Sequence, residues 1–282
     1  MKEKLSFAIR DDDVSYFTKA NEYNLFCEKF VKNFTLISGI ILNQKGCPSL
    51  NIPLQYWYTG LNYNIKDNFE ICDLLHELDK RNNFFPAVHG YEHNFIIENN
   101  NLIPELRLRN AIVKLSKNLD EAEKFFKETF SNPIKIFIPP SNTISSDCAE
   151  LLFKRDYTLF NYPGIFRHSR RSSKGYRILI QRILNLMLKK IDLQKPYYET
   201  KYSKCFNSVP LTTILNQNKL NSIANECSTK GYPFILSLHQ WELNCFQPYS
   251  QKTYSDLLLD TISFLELNYE LVDFNPKGIL MN

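Results

Sequence analysis

FFPAVHGYEHN, residues 84–94, starts as an apolar run and breaks at a histidine, with a glycine next and a second histidine four residues after the first. Phe84–Val88 reads as a buried strand, and everything after it is polar. The same construction recurs at IRDDDV (9–14), IPPSN (138–142) and SLHQWE (237–242). Candidate strands are Leu5–Ile9, Thr35–Ile41, Phe84–Val88, Ile134–Ile138, Thr158–Asn161, Phe234–Leu238 and Tyr269–Phe274. Helical spacing lies between them. In Asn68–Arg81 the residues Phe69, Cys72, Leu75, His76 and Leu78 fall near one face, and further helices are expected over Asn216–Cys227 and Tyr254–Leu267. The longest helix should run from about Pro104 to Phe130. Strand–helix alternation predicts an α/β fold with a parallel sheet, closed as a barrel or open and doubly wound. In such folds chemistry is built where strand carboxyl ends converge, so four polar clusters at four strand ends predict one site.

Composition fits this class. Hydrophobic residues make up 44% and charged residues 23%, which suits a globular core rather than disorder. No composition break demands two domains, so residues 1–282 are read as one catalytic domain. With 8 Gly against 21 Phe and 16 Tyr, and with no GxGxxG or GxxxxGK[ST], a phosphate-cradling loop is not expected. No apolar run approaches the length of a membrane span, and the start MKEKLSFAIRDDD lacks the apolar stretch of a signal peptide. The seven cysteines are odd in number and include no CxxC pair, so a reduced, cytoplasmic setting is expected.

Net charge is +4, unevenly spread: Ile165–Lys204 holds eleven Lys or Arg and two acids, which leaves the rest of the chain acidic. That basic insertion, about 165–204, contains GYRILIQRILNLMLKKI (175–191). It reads as an amphipathic helix packed on the barrel, with peripheral contact to an anionic membrane as the sharper alternative. No nucleic-acid-binding module is recognised, so nucleic acid is not expected as a partner.

His89 and His93 have a spacing that suits a shared ion, yet HxxxH alone is a weak signal. The zincin motif HExxH is excluded, because Gly90 stands where its glutamate would be. The acidic triplet Asp11-Asp12-Asp13 strengthens the metal reading. Three adjacent carboxylates repel one another, and a turn or cap would need only one of them. Two imidazoles and one carboxylate also leave coordination positions open, as a catalytic ion requires.

IRDDDV, HGYEH, FIPPSN and LSLH occur in the order and rough spacing of the motifs of the polysaccharide deacetylases, the NodB-homology domain of carbohydrate esterase family four. The chain resembles a divergent branch of that family reading RDDD, HGYxH and PPxN. The resemblance covers Leu5 to His239 and implies a distorted (β/α) barrel of about seven parallel strands. It implies a metal-dependent hydrolase that removes an N-acetyl or similar small acyl group from an amino sugar, free, nucleotide-linked or lipid-linked, in surface-polysaccharide biosynthesis. Matched residue by residue, Asp11 is the general base, Asp12, His89 and His93 hold the ion, and His239 is the general acid. Ser141 falls where a backbone N–H serves the oxyanion. Zinc is the expected ion, with Co2+, Ni2+, Mn2+ or Fe2+ as substitutes.

The chain departs from the pattern in three places. Ile138 stands where the family has the arginine that orients the base, and Arg10 is a candidate substitute. Gly90 replaces a loop-bracing Ser or Thr. Strict strand alternation would turn Asp11 and Asp13 one way and Asp12 the other, which shifts the base and ligand labels by one residue unless the strand ends by Asp11. Tyr91 and Trp241 are candidate sugar platforms. Asn142 could bind substrate or cap the helix that starts near Ser145. Two other classes stay open: a non-catalytic glycan-binding relative, and a non-haem iron(II) enzyme using the same two-His-one-carboxylate set.

Overall fold

The structure is a computed structural model that describes residues 2–49, 51–98, 101–108, 110–131, 133, 135–160, 197–200, 203–211, 217–247 and 251–276. Its strands are β1 (Glu3–Val14), β2 (Thr35–Ile40), β3 (Asn43–Lys45), β4 (Asn62–Asn64), β5 (Phe84–His89), β6 (Phe95–Glu98), β7 (Asn101–Pro104), β8 (Ile136–Ile138), β9 (Thr158–Phe160), β10 (Tyr197–Thr200), β11 (Ser203–Phe206), β12 (Val209–Pro210), β13 (Phe234–Leu238) and β14 (Tyr269–Asp273). The helices are α1 (Ala20–Phe26), α2 (Phe69–Asp79), α3 (Ala111–Thr129), α4 (Ser146–Lys154), α5 (Gln217–Lys230) and α6 (Tyr254–Asn268).

The main sheet runs β10-β11-β9-β8-β5-β2-β1-β13-β12. Every neighbouring pair is parallel except β10–β11, so eight of these strands run parallel among the described residues. On β1, β14 pairs with Glu3–Phe7 and β2 with Ala8–Val14. Side-chain alternation explains how the sheet curls around an inner cluster. Leu5, Phe7 and Ile9 join the core shared with the helices, whereas Ala8 joins an inner cluster with Ile37, Phe85, Ala87, Ile136, Ile138, Phe160, Phe206, Ile235 and Phe274. Strand faces pack on one another inside and helices cover them outside. This is a distorted (β/α) barrel; the doubly wound alternative would put helices on both faces.

Two differences from the expected element boundaries bear on the site. The first strand continues past Ile9 through the acidic triplet to Val14. The long helix starts at Ala111, because Pro104 ends β7 and Glu105–Arg107 form a 3-10 turn that buries Leu106. The Leu106 carbonyl there accepts the Ser145 N–H at 3.0 Å. The cap of α4 is Ser145, whose hydroxyl accepts the Cys148 N–H at 3.3 Å, so Asn142 is not the cap. All seven cysteines are free thiols, four of them buried. No helix among the described residues is long and apolar enough to cross a membrane. The expected helix over 175–191, and most of the basic insertion, lie outside the described residues.

Candidate metal centre

The three acids of β1 face three different places. Asp11 points out of the barrel and is fully buried, its Oδ1 accepting the Gln240 N–H at 2.6 Å. Burial, with Asp12 and Asp13 adding like charge, raises its carboxyl well above the usual carboxylate range against the pull of that N–H. Asp12 points into the barrel, where its Oδ2 accepts from Arg10 Nη2 at 2.5 Å. Residues i and i+2 of a strand share a face, and this pair is side by side for that reason. At Asp13 the pairing with β2 shifts register and the backbone turns left-handed, φ 70°. That turn aims Asp13 at the histidines.

His89 closes β5. Its Nδ1 donates to the Ile138 carbonyl at 3.0 Å, since a carbonyl only accepts, and this leaves Nε2 facing Asp13 Oδ1 at 3.1 Å. His93 follows in a loop at φ 48°, its Nε2 3.3 Å from the same Asp13 oxygen. One ligand atom each from Asp13, His89 and His93 lies within 4.8 Å of the other two. The carboxylate that meets the imidazoles is therefore that of Asp13, where the sequence reading put Asp12. The continued strand and the left-handed turn account for the change.

Electrostatics prepares Asp13 and His93 to bind a cation, while at His89 burial is outweighed by Asp12 and Asp13, which raise its pKa. Burial opposes ionisation of Asp13, but His93, the His89 hydrogen bond and His239 outweigh it and hold the carboxyl far below its ordinary value. Burial, with His89 and His239 nearby, lowers the His93 pKa against the attraction of Asp13, which favours the neutral ligand form. The donor set fits a divalent ion: two imidazoles and one ionised carboxylate, with one imidazole fixed through its far nitrogen by a carbonyl.

His239 follows β13, with Nε2 3.7 Å from Asp13 Oδ2 and Nδ1 3.0 Å from Glu242 Oε2. Burial pulls its pKa down, but the Glu242 hydrogen bond, Asp13 and Asp12 prevail and raise it to about 9. Trp241 stacks on this imidazole at 5.2 Å. A cavity of about 330 Å³ is lined by Asp12, Asp13, both motif histidines, His239 and Trp241, with Arg10 in its floor. Ser141 and Asn142, both left-handed at φ 52° and 49°, form part of its wall. A second cavity of about 450 Å³ shares Asp13 and Trp241 with the first.

Tyr91 is not a platform in this cavity. Its ring belongs to the hydrophobic core and its hydroxyl donates to Glu121 on α3. Sequence reasoning gave no role to Glu242, and Asp13 entered it only through the one-residue shift that strand alternation allows, although both lie inside quoted motifs. It missed Glu105 entirely; this carboxylate binds backbone N–H groups of the histidine loop.

No protein-family model and no curated protein matches the chain. Solved structures do. The Xyl-CE4 domain of a multidomain xylanase from the hindgut metagenome of Trinervitermes trinervoides is 12% identical with a TM-score of 0.44, over 100% of this chain and 90% of that one. The chitin deacetylase of the fungal pathogen Colletotrichum lindemuthianum is 10% identical with a TM-score of 0.46, over 97% and 86%. BA3943, a CE4 family pseudoenzyme from Bacillus anthracis, is 8% identical with a TM-score of 0.45, over 99% and 66%.

Proposed function

We propose that the chain is a metal-dependent carbohydrate deacetylase of the polysaccharide-deacetylase type. It cleaves the N-acetyl, or a similar small acyl, group from an amino sugar of a glycan or glycan precursor made in the cytoplasm for surface-polysaccharide assembly. The observation that carries this reading is the convergence of Asp13, His89 and His93 at one end of the barrel with His239 across from them. Asp13, His89 and His93 would hold the ion, zinc by preference. When bound, such an ion supplies Lewis-acid polarisation of the acyl oxygen and of a water.

The chain's own residues supply the proton transfers. Asp12, on the cavity wall and fixed by Arg10, takes the proton of the attacking water. This moves the family's two acidic roles one residue along, from Asp11 and Asp12 to Asp12 and Asp13. Arg10 orients the base from β1, as the family's arginine does from the position held here by Ile138. Because Arg10 stands in for the arginine absent at Ile138, that pairing favours a catalyst over the non-catalytic glycan-binding relative. His239, held protonated by Glu242, gives a proton to the departing amine. The Ser141–Asn142 turn borders the acyl oxygen and Trp241 presents its face to the sugar. The parallel barrel argues against the iron(II) oxygenase class, which uses a jelly-roll of β-strands.

The test is acetate release by zinc-loaded protein from free, nucleotide-linked and lipid-linked N-acetyl sugars, with His89→Ala as control. Release that His89→Ala abolishes supports the reading, and no release from any of them returns the chain to the glycan-binding class. Glu242→Gln adds a pH readout. The acid works protonated, and removing Glu242's charge lowers the His239 pKa. The basic limb of kcat/KM should therefore move to lower pH while the acidic limb stays. An unmoved basic limb would remove His239 from the acid role.

A further inference from the structure

The two ligand histidines are joined by a loop that has no helix to hold it. Gly90 sits at φ 62° and His93 at φ 48°, so the backbone between them is bent twice into the left-handed region. Its peptide groups are held from two sides. On one side β3 donates: Asn43 N–H to the Tyr91 carbonyl and Lys45 N–H to the Glu92 carbonyl, both at 3.0 Å. On the other side one carboxylate accepts. Glu105 Oε1 takes the Tyr91 N–H at 2.9 Å, and Oε2 takes those of Glu92 at 3.1 Å and Asn94 at 3.4 Å. The Glu105 N–H closes the ring by donating to the Asn94 carbonyl at 3.0 Å. Backbone N–H groups converging on one anion form charge-assisted bonds, stronger than neutral ones. Gly90 belongs to the same fitting, because a Cβ there would lie 2.4 Å from Glu105 Oε1 and 2.4 Å from Pro140 Cγ. A side chain at position 90, such as the Ser or Thr that braces this loop in the family the chain resembles, would displace the carboxylate that braces it here.

We propose that Glu105 is a positioning residue of the metal centre: by gathering the N–H groups of residues 91, 92 and 94, it holds the loop in the one shape that turns His93 Nε2 onto the Asp13 oxygen already facing His89. The proposal rests on the metal-binding part of the function proposed above. Among the described residues the Glu105 carboxylate bonds to the main chain of 91, 92 and 94 and to none of the Asp13, His89 or His93 side chains, so it acts on the ion through the backbone.

The test compares the zinc affinity of the full chain with that of Glu105→Gln, by competition against a chromophoric chelator. Glutamine keeps the shape but sets an NH2 group against N–H donors. Partners that orient metal ligands are worth about 10–100-fold in affinity, and a loss of that size is expected, with an unchanged near-ultraviolet circular dichroism spectrum. Wild-type zinc binding with Glu105→Gln within about twofold of it overturns this proposal and leaves the hydrolase reading standing. No zinc binding by the wild type overturns both. A second measurement needs no variant. In metal-free wild type the amides of 91, 92 and 94 should resist hydrogen exchange as those of β5 do, and rapid exchange there would also overturn the proposal.

Discussion

Asparagine at each of the three acids should give three different proteins. Asp13→Asn should lose its divalent ion, Asp12→Asn should keep the ion and lose turnover, and Asp11→Asn should keep both. The substitution removes charge and little else, and asparagine tolerates the left-handed backbone at position 13. Loss of a direct ligand should exceed the about 10–100-fold that outer partners contribute to affinity. Asp13→Asn should therefore weaken zinc binding by more than about 100-fold. Loss of a general base lowers turnover by about 10²–10⁴-fold, and Asp12→Asn should fall in that range with its zinc content intact. Asp11 faces away from the cavity, and its contact with Gln240 N–H needs only a carbonyl oxygen, which asparagine retains. Zinc content by atomic emission, read beside acetate release, separates the three. If Asp11→Asn instead matched the loss assigned to Asp12, the base would be Asp11 and the roles would move back by one residue.

That ambiguity shows where sequence reasoning stops. The barrel was legible because buried strands are short apolar runs, and the site's address because each run ended in polar residues. Even the Arg10–Asp12 pair follows from the strand's period of two. Which acid meets the histidines does not follow. It depends on β1 keeping its hydrogen bonds through Asp11 and then turning at Asp13, and the partner that sets this is β2, about 25 residues further on. Tyr91 illustrates a different gap. Its neighbours in sequence are the ligand histidines, yet its ring packs into the hydrophobic core and its hydroxyl reaches Glu121 on a distant helix. Glu105 was invisible for a third reason: its partners are main-chain N–H groups, which every sequence offers everywhere.

Arg10→Met should destabilise the metal-free protein by about 3–5 kcal/mol, the range found when one member of a buried ion pair is removed. Arg10 is 2% exposed and Asp12 6%. Arg10 Nε and Nη1 are buried without a hydrogen-bond partner among the described residues, so Asp12 and the face of Phe160, 5.6 Å from the guanidinium carbon, are its main compensation. Removing the guanidinium strands the Asp12 carboxylate inside the barrel. Replacing both partners removes the stranded charge, and buried pairs exchanged for apolar residues are often neutral or stabilising. Arg10→Met with Asp12→Leu should therefore recover most of the loss in chemical denaturation, yet release no acetate. Such a protein would show that the pair is kept for its chemistry, since the fold stands without it. A single Arg10→Met variant that lost under about 1 kcal/mol, the usual ceiling for solvent-exposed pairs, would mean that water reaches Asp12 and that the guanidinium is not what holds the base in place.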